Sequence, residues 1–162
     1  MFVKLAAVCI MFIFSATIAS AKDAPTIQIN DAKAVMSSPS FGAAYATITT
    51  DDDDTLTGVS SDCCKAVEMH QSSMLNGTMS MRKIGEVKVS PKKPLVLMPH
   101  AQATGPSSMH IMLIGAKTPL KTGSAVDVTL HFKNAGDVKQ SFPISVASDN
   151  AAGADADHHG HH

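Results

Sequence analysis

The chain has no tryptophan and a single tyrosine, Tyr45. No cluster of Lys or Arg forms a basic patch, so the footprint of a nucleic-acid binder is missing. Cysteine is scarce as well. Of three, Cys9 lies in the first apolar stretch, which leaves only the adjacent pair Cys63-Cys64. A disulfide framework uses more cysteines, spread apart, so stability must come mainly from a packed core. Past the first stretch there is no apolar run near the ~20 residues of a membrane helix, and no membrane span is expected in the body of the chain.

That first stretch reads as an export signal. Met1-Phe2-Val3-Lys4 carries one positive charge, Leu5 to Ile18 is almost wholly apolar, and Ala19-Ser20-Ala21 fits the small-x-small cleavage rule. Cys9 is preceded by Val8, where a lipoprotein box wants a small residue, so cleavage after Ala21 is expected rather than lipidation. The expected organisation is a signal peptide over 1–21, one domain over 22–147 and a disordered tail over 148–162. Without Lys4, twelve basic side chains face fourteen acidic ones, a formal charge of −2.

The body reads as strands. Ala44, Ala46 and Ile48 alternate with Tyr45, Thr47 and Thr49, and Val126, Val128, Leu130 and Phe132 alternate with Asp127, Thr129, His131 and Lys133. A period of two rich in β-branched residues marks half-buried strands. Gly, Pro, Asp and Asn punctuate the gaps, as at Asn76-Gly77 and Gly105-Pro106. Many short strands between turns predict an all-β sandwich or barrel. Only Ala32 to Met36 suggests a helix. Asp51 to Asp54 lacks calcium-loop spacing and reads as a solvated turn. His100 to Ser108 reads as a surface loop, and His131 as an exposed strand residue.

Histidine and methionine recur together: Met69-His70, Met79-x-Met81 and Met109-His110-Ile111-Met112. A thioether is a poor ligand for Zn²⁺ or Mg²⁺ and a good one for Cu(I), which also accepts imidazole. Alternate residues of a strand share a face. His110 and Met112 can therefore present an imidazole and a thioether to one ion while Ile111 and Leu113 face the core. Met79 and Met81 repeat that spacing, and a hairpin through Asn76-Gly77 would return Met81 toward His70. The competing reading makes the methionines core filler, since Met packs irregular gaps.

Val67-Glu68-Met69-His70, Met79-Ser80-Met81-Arg82 and His110-Ile111-Met112-Leu113-Ile114-Gly115 resemble the PCu(A)C family of periplasmic copper chaperones, whose pattern is a His, ten residues, a Met, then His-x-Met. Ten residues separate His70 from Met81 here. The resemblance runs from about Ile27 to Val146. It implies a single-domain, cupredoxin-like Greek-key β-sandwich, not an enzyme, holding one Cu(I) through His70, Met81, His110 and Met112. It further implies a periplasmic protein that delivers copper for cytochrome c oxidase assembly, to the copper-receiving subunit or another periplasmic assembly protein. One departure stands out. The family places about 21 residues between the Met and the His-x-Met, and this chain places 28 between Met81 and His110. An insertion over His100 to Ser108 would account for the excess and bring His100 and Met109 near the ligands. Loop growth of that size costs little.

Two features lie outside that pattern. Cys63-Cys64 could be a disulfide, a redox pair or an added Cu(I) ligand. Adjacent cysteines close a strained ring, so a structural disulfide is not the default. The tail holds His158, His159, His161 and His162, interrupted by Gly160 unlike a plain purification tag, and is a second candidate site, for Cu(II). The alternatives to a copper chaperone are an exported β-sandwich interaction module and a thiol or metal-redox protein using Cys63-Cys64. The last lacks the usual Cys-x-x-Cys spacing.

Overall fold

The computed structural model describes residues 23–145. The expected leader, Cys9 and the histidine tail lie outside them. Ten strands follow in order: β1 Ile27–Ser38, β2 Phe41–Thr50, β3 Asp54–Ser60, β4 Cys64–Leu75, β5 Thr78–Lys83, β6 Val87–Val89, β7 Leu95–Leu97, β8 Ser107–Ala116, β9 Ala125–Phe132 and β10 Gly136–Ser145. Their hydrogen-bonded order is β5-β4-β8-β7-β2-β1-β10-β9-β3-β6. The sheet folds over on itself where β1 pairs with β10 in parallel, so that β3 packs on β4 and β6 on β2. The all-β sandwich expected from the alternation is the fold observed.

The core sits between the two halves. Ala44, Ala46 and Ile48 of β2 are buried, as are Val126, Val128, Leu130 and Phe132 of β9. From β4 and β8 come Met69, Ile111 and Leu113. Full burial of a Val, Leu, Ile or Phe side chain is worth about 1.5–3 kcal/mol, so these residues fix which way each strand faces.

Two local expectations are corrected. Ala32 to Met36 is strand, not helix: Ala34 pairs with Ala44 on one side and Ile144 on the other. Two neighbouring strands satisfy its backbone, and tertiary pairing overrides a weak local helical pattern. A register shift between Asn30 and Lys33, with Asp31 at φ 55°, admits the irregular residues. The acidic run is not wholly solvated either. Asp54 is buried and accepts hydrogen bonds from the backbone N–H groups of Thr55, Asn134 and Ala135 at 2.7, 2.9 and 2.9 Å. It ties the start of β3 to the β9–β10 turn.

The hairpin between β4 and β5 is as expected. Asn76 and Gly77 both take positive φ, 51° and 76°, the conformation that a two-residue type I′ turn needs and that Asn-Gly supplies. His100–Gln102 forms a single 3-10 turn, and β8 begins at Ser107, so the polar stretch becomes strand before His110.

Candidate metal centre

β4 and β8 are antiparallel neighbours, and their register sets His70 directly opposite His110. The two rings lie 6.1 Å apart between centroids, tilted by 44°. Two residues along, Met112 stands opposite Glu68. Paired residues and alternate residues share a face, so Glu68, His70, Ser72, Ser108, His110 and Met112 line one side of this pair. The intervening residues Met69, Ile111 and Leu113 fill the core on the other side.

β5 extends the same face outward. Met81 pairs with Ser72 and Lys83 with His70. Met81 is thus a diagonal neighbour of His70, 56% exposed at the sheet edge. Met112 lies at the far corner. From ordinary strand spacings the Cα atoms of Met81 and Met112 are about 16 Å apart. The structure therefore brings His70, His110 and Met112 together and holds Met81 at the rim.

His110 is buried, and burial together with the nearby His70 lowers its pKa below the usual histidine value. That shift favours the neutral ring, which keeps a lone pair for a ligand. Tyr45 of β2 walls the site, its ring centroid 6.5 Å from that of His110, and burial raises its phenol pKa. His70 is steered by Glu68, whose Oε2 lies 3.0 Å from His70 Nε2. With the proton on Nε2, that ring donates to the carboxylate and leaves the Nδ1 lone pair free. The His70 hydrogen bond, then that from Lys83 at 2.7 Å, hold the Glu68 carboxyl below its usual range. Ser108 Oγ, on the same face, is buried without a hydrogen-bond partner among the described residues.

The sequence pattern assigns neither Glu68 nor Tyr45 a place at the site; their contacts with His70 and His110 do. Glu68-x-His70 has the same-face spacing of His110-x-Met112, so that signal was present. Met109 departs from expectation: it pairs with Leu97 and Gln71 and packs on the core, one residue out of phase with His110. His131 is engaged at both ring nitrogens, by Asp137 at 2.7 Å and Ser60 Oγ at 2.8 Å. Cys63 and Cys64 are joined in a disulfide, the state that ring closure argued against. Among the described residues no three His, Cys, Asp or Glu side chains are grouped to hold a metal. A site on this face must draw on thioethers.

The family model described as "Putative lipoprotein LpqE-like" matches residues 27–144. "Putative lipoprotein Lxx21020" of Leifsonia xyli subsp. xyli is 26% identical over 141 residues, spanning 86% of this chain and 79% of that relative. The copper-bound PCuAC domain from PmoF2 aligns with a TM-score of 0.58 at 17% identity, over 78% of this chain and 97% of that domain. Apo-DR1885 from Deinococcus radiodurans aligns at 0.54 and 20% identity, over 88% and 96%. At these identities the shared property is the fold, the cupredoxin-like sandwich of PCuAC domains.

Proposed function

Since the chain belongs to the LpqE-like family, we propose that it is an exported copper carrier, not an enzyme, that takes Cu(I) as cargo and passes it on. The observation that carries this reading is the pairing of His70 with His110 on one sheet face, with Met112 beside them. The proposed ligands are His70, Met81, His110 and Met112. They are two imidazoles and two thioethers, all neutral, a donor set that favours the soft monocation over Zn²⁺. Met81 would complete the set by an inward swing of the β4–β5 hairpin, whose outer edge pairs with no strand among the described residues.

The same arrangement suits release. His110 is fixed by burial, whereas Met81 is exposed and on the outermost strand. Losing the exposed thioether first would open the ion to an incoming ligand without disturbing the core. The receiver is proposed to be the copper centre of cytochrome c oxidase or an assembly protein that feeds it, and the compartment the periplasm. The four tail histidines, His158, His159, His161 and His162, are proposed as a separate capture point for Cu(II), by imidazole alone.

Competition decides the metal. Protein shortened before Asp155 should bind one equivalent of Cu(I) and retain it against excess Zn²⁺, with X-ray absorption showing both nitrogen and sulfur neighbours. Equal or tighter Zn²⁺ binding would end the His/Met reading.

A further inference from the structure

The β4–β5 hairpin exposes more apolar side chain than its folding needs. Met74 near the end of β4 is 43% exposed, and Met79 and Met81 of the edge strand β5 are 51% and 56% exposed. Contiguous exposed apolar surface calls for a reason. The register supplies one. Met74 pairs directly with Met79, and Met81 follows two residues later on the same strand. All three therefore point to one side of the hairpin, the side that carries His70.

The geometry points to a second soft-metal site, an all-thioether Cu(I) site of Met74, Met79 and Met81. Directly opposed Cβ atoms lie about 4.5–5.5 Å apart and diagonal partners about 7–8 Å, and alternate residues of a strand about 6.5–7 Å. Three flexible side chains on such a triangle can turn their sulfurs to a common centre. No acidic residue occurs between Gln71 and Arg82, and Arg82 lies on the opposite face, bonded to Gln71 at 2.6 Å. A hard cation therefore finds no carboxylate here, whereas a Cu(I) ion finds three soft donors.

This inference rests on the proposed function at one point only. Met81 is also a proposed ligand of the His70/His110 site, so an ion held at the hairpin tip can pass inward by exchanging Met74 and Met79 for imidazoles while Met81 stays bound. Held alone, the triad is a Cu(I) site that needs no histidine.

Anaerobic Cu(I) titration of protein carrying ¹³C at its methionine methyls tests it. In His70→Ala/His110→Ala protein that keeps the wild-type circular dichroism, the methyl signals of Met74, Met79 and Met81 should move together. Adding Met74→Leu and Met79→Leu to that protein should weaken Cu(I) binding by about tenfold or more. Should that variant not fold, His70→Gln/His110→Asn protein, which keeps polar side chains of similar size and lacks both imidazoles, gives the same reading. Still signals from Met74 and Met79 in the folded protein would overturn the triad, whatever Met112 does. Movement of those signals in wild type at neutral pH, with the Met112 methyl and the His110 ring unmoved, would support the triad and defeat the His70/His110 site instead.

Discussion

The two faces of β8 differ by one residue in register and by everything in chemistry. Ile111 and Leu113 are fully buried between the layers. His110 and Met112 project from the same four-residue stretch to the other side, beside His70 and Tyr45. The core face needs only volume and apolarity, and it fixes the strand. The other face is then held in place at no further cost and is free to carry donor atoms. A one-residue slip would exchange the two sets, so the burial of Ile111 and Leu113 is what aims His110.

The largest effect should come from breaking the core face. Leu113→Ala removes a fully buried side chain and should cost about 2–5 kcal/mol, read as a lower midpoint in denaturant. Copper bound per folded molecule should not change. If copper binding fell while the protein stayed folded, the two faces would not be separable as described.

The mirror experiment strikes the other face. Met112→Leu keeps size and apolarity and loses only sulfur, so stability should change by less than about 1.5 kcal/mol while Cu(I) affinity falls. His110→Ala should lower Cu(I) affinity further, because it removes the buried, neutral imidazole. A collapse of the thermal melt in Met112→Leu with unaltered copper per folded molecule would mark that residue as packing.

Much of this contrast was legible before the fold was known. Strict alternation in β2 and β9 gave the core residues, Asn76-Gly77 gave the hairpin, and His110-x-Met112 gave a shared face. What could not be read was which strand lies beside which. The pairing of His70 with His110 joins segments forty residues apart, and no local pattern encodes that register. Glu68 and Tyr45 became visible only with it. Asp54 looked like one more solvated carboxylate because its partners, Asn134 and Ala135, come from the far end of the chain. Ala32 to Met36 looked helical because its neighbours on both sides come from elsewhere.

Acid should separate the faces more gently. The folded-state pKa of His110 is lowered by burial and by the nearby His70. Below the ordinary histidine value of about 6.5 the unfolded chain takes up that proton more readily than the folded one. The contribution of His110 to stability is thus complete above that pH and is lost as pH falls through its folded value. Glu68, also lowered, adds a second loss in the carboxylate range, near and below about 4.3. Melting temperature against pH should therefore decline in two stages, and His110→Asn should flatten the first and leave the second. An unchanged first stage in that variant would mean that His110 is not the group titrating there.

The smallest effect is expected at the far end of β4, where Cys63 and Cys64 are linked. Disulfide stabilisation grows with the length of chain it closes, and this one closes none beyond its own two residues. Cys64 is buried beside the core while Cys63 is only partly so, which makes alanine, not serine, the fitting replacement. Cys63→Ala/Cys64→Ala should then shift stability by about 1 kcal/mol or less, within the range for a modest loss of packing. His70 lies six positions along the extended strand from Cys64, about 20 Å, so the variant should bind Cu(I) with wild-type affinity and the same nitrogen and sulfur neighbours. The pair belongs to neither face of the contrast if both results hold. A copper absorption spectrum that loses a thiolate-like sulfur in the alanine variant would place a cysteine on the metal, and the division of β4 and β8 into a core face and a proposed His/Met binding face would no longer be sufficient.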